Sequence, residues 1–134
     1  MTKRFQFAAL AVLVMTTLLA ACGGGEEAPS AVGDTAAGED LFSQVIIGSQ
    51  PGCATCHSLN ADEVLVGPSM AGIGSRAGTR VSGMSAEDYL RESILHPDNY
   101  VVEGFQPGVM VQVWEEELTP EQVDNLVAYL LTLE

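Results

Sequence analysis

The sequence predicts a single all-α domain built from short helices and long loops. Three segments carry apolar side chains at helical spacing, no segment alternates apolar and polar residues as a strand does, and Gly, Pro, Ser and Asn dominate between the helices. Roughly 35 residues between Gly48 and Gly83 show little regular pattern, which is unusual in a compact domain. Because only 6% of the residues are aromatic, we expect these loops to pack against an embedded prosthetic group.

The first two predicted helices are marked by their ends and by one apolar face each. The first begins at a cap formed by Asp34 or Thr35. Its expected packing face consists of Ala37, Leu41, Phe42, Val45 and Ile46. The second begins at Ser85 with a capping-box-like pattern, runs for about ten residues and ends near His96, because Pro97 disfavours helix there. Its expected packing face consists of Tyr89, Leu90, Ser93 and Ile94.

The last predicted helix combines three signals at its start. Thr119 can cap it, Pro120 suits the first helical position, and Gln122 can cap reciprocally. Apolar residues then follow at i, i+3, i+4, i+7 and i+8, namely Val123, Leu126, Val127, Leu130 and Leu131. The sequence therefore predicts an amphipathic helix that closes the chain.

The N-terminal segment is predicted to be an export signal followed by a tether. Lys3 and Arg4 precede an apolar run, and small residues before Cys22 resemble the bacterial lipoprotein cleavage box. We expect residues 1–21 to be a lipoprotein signal peptide, residues 22–34 to be the lipidated Cys22 with a flexible Gly- and acid-rich linker, and residues 35–134 to fold. An uncleaved membrane anchor and an ordinary secreted product are the alternatives. The expected location is the outer, periplasmic face of the bacterial cytoplasmic membrane.

The charge balance excludes one class of partner. The chain has 5 Lys+Arg against 18 Asp+Glu, and removal of the signal peptide leaves only Arg76, Arg80 and Arg91 as cations. Because phosphate backbones are bound by clustered basic residues, nucleic-acid binding is excluded. We expect docking to use a basic surface of the partner and to slow as salt rises.

The segment 53–57 carries the chemistry. Cys53 and Cys56 are separated by two residues and His57 follows directly. In an exported chain this CxxCH pattern indicates covalent haem attachment, with two thioethers to the porphyrin vinyl groups and the imidazole bound to iron from one face. A redox-active cysteine pair of the thioredoxin type is expected in a βαβ context, which this sequence lacks, and it would leave His57 without a role. A structural zinc site would need a fourth ligand beyond Cys53, Cys56 and His96.

Further landmarks follow in a characteristic order around this motif. They are Gly38 and Phe42 in the first helix, CATCH at 53–57, Gly67-Pro68, Val102-Glu103-Gly104-Phe105 leading to Met110, and Tyr129-Leu130 in the last helix. With these landmarks, residues 35–134 resemble a class I monohaem cytochrome c. The resemblance implies the cytochrome c fold, with three to five short helices and long loops around one covalent haem. It also implies that Gly38 lets the first and last helices approach closely.

The resemblance further implies two more residues of the haem site, one that orients His57 and one that binds the iron. The Pro68 carbonyl would accept the proton of the non-ligating His57 nitrogen, and Met110 would be the sixth ligand. Met70, Met84 and His96 are the alternatives, for which haem-edge packing, partial burial and a helix-end cap are the preferred interpretations. Val111 follows Met110 where the family commonly has Pro, and this departure bears on the rigidity of the loop.

This ligand set predicts an electron carrier rather than an enzyme. His57 and Met110 would fill both axial positions of haem c, leaving none for a substrate. Segments 89–97 and 101–105 are similar to the cytochrome domain of caa3-type oxidase subunit II and to the monohaem lipoprotein subunit of alternative complex III. The implied partner is a membrane redox complex, with electrons passing from a quinol-oxidising respiratory or photosynthetic complex to a terminal acceptor. A haem ligand-binding or peroxidase-like protein with a labile Met110, and a structural subunit with a vestigial haem, are the alternatives.

Several charged and aromatic side chains could also act at the haem. Each of Arg76, Arg80 and Arg91 could neutralise a haem propionate or simply lie on the surface. Trp114 and Tyr100 are expected to pack in the core. The run 115–117 of three Glu is expected to be a solvated face next to the final helix.

Overall fold

The computed structural model describes residues 33–134. The predicted signal peptide and Cys22 lie outside the described residues, as does the predicted linker apart from Gly33 and Asp34. The described chain forms five α-helices, one two-stranded antiparallel hairpin and two 3₁₀ turns, joined by loops. The elements are α1 Thr35–Phe42, β1 Ile46–Ile47, β2 Gln50–Pro51, a 3₁₀ turn Cys53–Thr55, α2 Ile73–Arg76, a 3₁₀ turn Ala77–Thr79, α3 Ala86–Leu95, α4 Trp114–Glu117 and α5 Pro120–Thr132. The predicted fold class is confirmed.

Helix α1 is shorter than predicted. It starts as expected, because the Asp34 carboxylate accepts hydrogen bonds from the backbone N–H groups of Ala36 (2.8 Å) and Ala37 (3.1 Å). The prediction that its packing face continues through Val45 and Ile46 is wrong, since these side chains are 72% and 65% exposed. Beyond Phe42, β1 pairs with β2, so the backbone hydrogen bonds there belong to a hairpin rather than to a helix.

Helices α3 and α5 form where the sequence predicts them. The Ser85 hydroxyl accepts from the Asp88 N–H at 3.0 Å, and α3 runs for 10 residues. At α5 a full capping box is present: the Gln122 N–H donates to Thr119 Oγ1 (3.2 Å), and the Thr119 N–H donates to Gln122 Oε1 (2.9 Å). The apolar face of α5 is buried at Val123, Leu126, Val127 and Leu130.

The helices α1, α3 and α5 pack together and form the scaffold of the domain. Gly38 is buried at the contact of α1 with α5, where a Cβ would run into the Asn125 carbonyl oxygen and lie 2.8 Å from Tyr129 Cβ. The predicted close approach of these two helices is therefore confirmed. The Phe42 and Tyr129 rings pack with centroids 5.6 Å apart.

Two helices of four residues each, α2 and α4, are not predicted from the sequence. In α4 the Trp114 side chain is buried in the core, as expected, and Glu115 and Glu116 are exposed. Glu117 departs from the expected solvated run, because it accepts a hydrogen bond from the Ser49 hydroxyl at 2.6 Å and so ties α4 to the hairpin. Between residues 33 and 134, no helix has the length and hydrophobicity needed to cross a membrane.

Candidate functional site

An apolar cleft lies between the helical scaffold and two long loops. Phe42 of α1, Leu90 and Ile94 of α3, and Leu126 and Leu130 of α5 contribute to its walls. The five predicted haem-site residues of the folded domain all line it, namely Cys53, Cys56, His57, Pro68 and Met110. Side chains that are more than fifty residues apart in the sequence are thus brought to one cavity.

The CxxCH segment is folded as a tight turn at the edge of this cleft. The Cys56 N–H and the His57 N–H both donate to the Cys53 carbonyl oxygen, at 3.1 and 3.0 Å. The Thr55 hydroxyl closes the turn by donating to the Gly52 carbonyl oxygen at 2.5 Å. Both thiols and the imidazole line the same cavity as a result.

The electrostatics of the first thiol disfavour a redox-active cysteine pair. The pKa of the Cys53 thiol is raised to about 11, mainly by burial and to a smaller extent by the neighbouring Cys56, while a backbone hydrogen bond acts in the opposite direction. A reactive cysteine of the thioredoxin type needs a lowered pKa, because the thiolate is the nucleophile. The buried Cys53 thiol is instead suited to a site from which water is excluded.

The His57 ring is held in one orientation. Its Nδ1 lies 2.8 Å from the Pro68 carbonyl oxygen, which is the contact that the resemblance implies. Because a carbonyl only accepts, Nδ1 carries the proton and the Nε2 lone pair remains for a metal. Burial lowers the pKa of His57, although the bond to Pro68 acts in the opposite direction. The neutral form, which is the form that binds metals, is therefore favoured.

The chain around His57, which we call the His57 loop (residues 53–71), contains several internal backbone hydrogen bonds. The Gly67 N–H donates to the Cys56 carbonyl oxygen and the Met70 N–H to the Ser58 carbonyl oxygen, both at 2.8 Å. Gly67 passes so close to the imidazole that a Cβ there would collide with the ring, 2.8 Å from Nδ1. A residue without a side chain at position 67 thus leaves the space that the imidazole ring occupies.

A polar network that the sequence analysis missed supports the same loop. Glu63 Oε2 accepts from the Ser58 hydroxyl (2.5 Å) and from Asn60 Nδ2 (2.9 Å), and these two hydrogen bonds lower the pKa of Glu63. The Ser69 hydroxyl donates to the Asn60 carbonyl oxygen at 2.7 Å. Ser, Asn and acidic residues spaced two to five apart directly after CxxCH are the signal that could have indicated such a turn.

Met110 lies half-buried in the cleft, on a second loop that we call the Met110 loop (residues 101–112). Asp98 Oδ1 accepts from the Gly108 N–H at 2.8 Å and from Gln112 Nε2 at 3.3 Å. The same Gln112 amide donates to the Met110 carbonyl oxygen at 2.9 Å. Asp98 carries no motif in the sequence, and sequence reasoning missed it.

The alternative ligand candidates occupy different surroundings. Met70 lines the cleft and packs against the core, and Met84 is half-buried against the core without lining the cleft. His96 is exposed at the C-terminal end of α3 and does not line the cleft. Among the candidates named from the sequence, Met110 and Met70 are therefore the ones within the cavity.

The three arginines differ in what they bind. Arg91 pairs with Asp124 at 2.7 Å and with Glu87 at 3.4 Å, and its hydrogen bond to Asp124 is the main cause of its raised pKa. Arg76 donates from its guanidinium to the backbone oxygens of Ser69 (2.6 Å) and Ala71. Arg80 Nε is buried with no hydrogen-bond partner in the described part of the chain. Burial lowers the pKa of Arg76, and the nearby charge of Arg80 lowers it further.

These features fit a covalently bound haem. The cavity has apolar walls, two thiols at its edge, a neutral imidazole with a free Nε2 lone pair and a thioether on a separate loop. Arg80 does not itself line the cleft, but its buried Nε, which has no partner in the described residues, is the kind of group that a haem propionate would satisfy. The donor set is that of a haem iron with one nitrogen and one sulfur ligand.

Comparison with known proteins identifies the family. The family model described as "Cytochrome c" matches residues 35–134. The solved structures that are similar include the class 1 cytochrome MtoD from Sideroxydans lithotrophicus ES-1, at 22% identity and a TM-score of 0.49, with 77% of this chain and 98% of that chain covered. They also include an engineered cytochrome c from Rhodothermus marinus bound to a carbene intermediate, at 24% identity and a TM-score of 0.43, with 74% and 75% covered. No curated protein matches the sequence.

Proposed function

Since this chain belongs to the cytochrome c family, we propose that it is a one-electron carrier tethered to the outer face of the bacterial cytoplasmic membrane. The family binds haem c covalently, and Cys53 and Cys56 stand at the CxxCH positions. The observation that carries the proposal is the convergence of His57 and Met110 on one apolar cleft with both thiols. The electron would pass from a quinol-oxidising complex to a terminal acceptor, with the chain acting as a mobile shuttle or as a subunit.

Each candidate residue would make one interaction at the haem site. Cys53 and Cys56 would hold the haem through thioethers, His57 Nε2 and the Met110 sulfur would bind the iron, and the Pro68 carbonyl fixes the imidazole through Nδ1. When bound, haem c supplies the Fe(II)/Fe(III) couple, and thioether ligation favours the ferrous state. With both axial positions filled from the chain, a substrate has no open coordination site, which supports electron transfer over catalysis.

Arg80 is the proposed partner of a haem propionate. Arg91 is satisfied by two carboxylates and Arg76 by two backbone carbonyls, whereas Arg80 Nε is buried and unpaired in the described residues. A cation beside the haem disfavours the oxidised state, because that state carries one more positive charge than the reduced state, so Arg80→Leu should lower the reduction potential by on the order of tens of millivolts. Arg91→Leu is the matched control and should leave the potential unchanged.

The rim of the cleft is the proposed docking surface. Val66 and Val109 both line the cleft and are 55% and 53% exposed, and Val64 and Leu65 continue this apolar rim on the His57 loop. Residues 41–75 contain only two charged side chains, Asp62 and Glu63. The rim therefore suits an electron-transfer protein that presents an uncharged apolar surface, while the acidic remainder of the domain steers the approach.

This docking surface refines the salt dependence expected from the sequence. Salt should slow association, because long-range steering is screened, but should change the dissociation rate little, because the rim makes apolar contacts. Leu65→Asp should weaken docking by about tenfold by burying an unpaired charge, whereas Ser82→Asp, on an exposed turn away from the cleft lining, is the control. Equal effects of the two variants would exclude the rim as the docking surface.

The tether is proposed on the lipoprotein-like segment that ends at Cys22. Cys22→Ser should yield a protein that carries no lipid and retains residues 1–21, because the peptidase of this signal class cuts before a lipid-modified Cys. Lys3→Gln, in the same segment, should leave the mature protein in the membrane fraction. An unsubstituted protein that carries no lipid on Cys22 and retains residues 1–21 would instead indicate an uncleaved anchor.

The function is tested most directly in native membranes. Addition of a quinol should reduce the haem of this chain, an inhibitor of quinol oxidation should prevent the reduction, and admission of the terminal acceptor should reoxidise it. Purification of the detergent-solubilised protein would then identify the complex with which it is associated. A haem whose redox state does not respond to quinol would contradict the carrier role and favour a structural subunit.

A second candidate function is a haem ligand-binding or peroxidase-like protein with a labile Met110. It is favoured by Val111, which stands where the family commonly has Pro, and by the few contacts that hold the Met110 loop. The absorption spectrum separates the two candidates. A Met-bound ferric haem shows a weak charge-transfer band in the far red, whereas an open site gives a high-spin spectrum.

A further inference from the structure

One carboxylate anchors the Met110 loop. Asp98 Oδ1 receives the Gly108 N–H at 2.8 Å and Gln112 Nε2 at 3.3 Å, on the two sides of Met110 in the sequence. Gln112 Nε2 also donates to the Met110 carbonyl oxygen at 2.9 Å. Asp98, Gln112 and the Met110 backbone therefore form one continuous chain of hydrogen bonds.

Asp98 is positioned by its attachment to the end of α3. Asp98 follows the C-terminal end of α3 and lies between Asn99 and Pro97, of which Pro97 is buried. Asn99 is tied back to α3 twice, since its N–H donates to the His96 carbonyl oxygen (3.0 Å) and its Nδ2 donates to Glu92 Oε1 (2.8 Å). The carboxylate is thus held in place by a helix that packs in the core.

The rest of the loop has little else to hold it. Within residues 33–134, Asp98 is the only residue outside the Met110 loop that hydrogen-bonds residues 101–112. The loop has one internal turn bond, from the Phe105 N–H to the Val102 carbonyl oxygen at 3.0 Å. Val111 follows Met110, so no Pro ring stiffens the backbone beyond it.

We propose that Asp98 is a positioning residue for Met110, holding residues 108–112 against the end of α3 so that the thioether stays in the cleft. Because Val111 rather than Pro follows Met110, the carboxylate supplies a restraint that the backbone there lacks. It acts through two donors at once, and a charged acceptor strengthens both hydrogen bonds. Loss of the carboxylate should release the loop from the scaffold while leaving α3, α5 and the His57 loop in place.

The test measures how easily an added ligand displaces Met110 in the mature ferric protein. Imidazole is titrated while the far-red charge-transfer band is followed. Asp98→Ala should raise the apparent affinity for imidazole on the order of tenfold, as expected for the loss of hydrogen bonds to a charged group. Asp98→Asn keeps one oxygen acceptor, and about a threefold rise is expected because neutral hydrogen bonds are weaker.

Glu103→Ala is the matched control, because it removes the same charge from an exposed position on the loop itself. It should leave the imidazole affinity unchanged. An Asp98→Ala protein that binds imidazole as the unsubstituted protein does, or a Glu103→Ala protein that matches Asp98→Ala, would overturn the proposal. If Asp98→Ala fails to mature, Asp98→Asn provides the test. The threefold rise in its imidazole affinity would support the proposal, and an unchanged affinity would overturn it.

The inference rests on Met110 being the sixth ligand, and Met110→Ala is measured in parallel to separate the two claims. If Met110→Ala retains the far-red band, the ligand assignment itself is wrong. If Met110→Ala loses the band while Asp98→Ala behaves as the unsubstituted protein, only the role of Asp98 is excluded. Far-UV circular dichroism of each variant shows whether the helical scaffold is intact.

Discussion

The two loops that carry the candidate axial ligands are built differently. The His57 loop is joined by backbone hydrogen bonds from Gly67 to Cys56 and from Met70 to Ser58, and by the half-buried hydrogen bond between His57 Nδ1 and the Pro68 carbonyl oxygen. Within the described residues, the Met110 loop is hydrogen-bonded to the scaffold by the single side chain of Asp98, while Met110 and Val111 pack against the core. One candidate ligand therefore lies in a hydrogen-bonded framework, whereas the other lies on a loop with a single hydrogen-bonding side-chain anchor.

This difference follows from how each ligand reaches the cleft. His57 adjoins Cys56, so attachment of the thiol to the haem would deliver the imidazole within one residue. Met110 lies on a loop distant in sequence from CxxCH, and the closure of long loops costs more entropy. We therefore expect ligand lability to be concentrated on the Met110 side, and four substitutions test this expectation.

The largest effect is expected for Gly67→Ala in the His57 loop. Its Cβ would collide with the His57 ring, and overpacking of this kind costs about 1–3 kcal/mol. The fraction of protein that matures with haem should fall and its thermal unfolding temperature should drop. Gly78→Ala is the control, because its Cβ would meet nothing closer than 3.5 Å. A Gly67→Ala protein as stable as this control would show that the His57 loop is not tightly built.

Arg76→Ala should have the next largest effect. The Arg76 guanidinium donates to the backbone oxygens of Ser69 and Ala71, and the loss of these bonds from a partly exposed side chain should cost about 1–2 kcal/mol. Chemical denaturation of the mature protein measures the change. Arg91→Ala removes a cation from exposed ion pairs and should cost less than about 1 kcal/mol. Equal losses would mean that Arg76 contributes only surface charge.

Gly108→Ala probes the Met110 loop in the same way. Gly108 has φ of +74°, and an L-residue in this left-handed region costs about 1 kcal/mol even though its Cβ would contact nothing within 4 Å. The far-red band should be lost at a lower temperature, while the helical circular dichroism should melt nearly as before. A parallel shift of both transitions would contradict the independence of the two loops.

The smallest effect concerns acid stability through Glu63. Hydrogen bonds from Ser58 and Asn60 lower the pKa of Glu63 below its ordinary value of 4.5. Its contribution to stability is therefore present above pH 4.5 and is lost as the pH falls through the lowered pKa. Glu63→Gln should show a shallower decrease of the unfolding free energy below pH 4.5. Asp62→Asn, at the adjacent exposed carboxylate, should retain the steep decrease of the unsubstituted protein.

Elements with a local signal could be predicted from the sequence. Thr119, Pro120 and Gln122 encode the start of α5 in four consecutive residues, and Ser85 with Pro97 marks both ends of α3. The CxxCH motif likewise places two thiols and an imidazole at one site by chain connectivity alone. In each case the interacting groups lie within a few residues of one another.

Elements that depend on distant partners could not be predicted. The helical spacing of Val45 and Ile46 is overridden by the pairing of Ile47 with Gln50, so α1 ends at Phe42. Helix α2 has only four residues, too few to show a period. Asp98 meets its partners 10 and 14 residues away across a loop, and no spacing rule connects them.

The central claim is that the chain itself fills both axial positions, firmly with His57 and through the Asp98-held loop with Met110. The most direct measurement is the absorption spectrum of the mature, reduced protein under carbon monoxide at ambient temperature. The account predicts a spectrum unchanged by the gas over minutes, because the Met110 loop stays anchored. Prompt and complete formation of a carbon monoxide complex would contradict it and assign the protein to ligand binding.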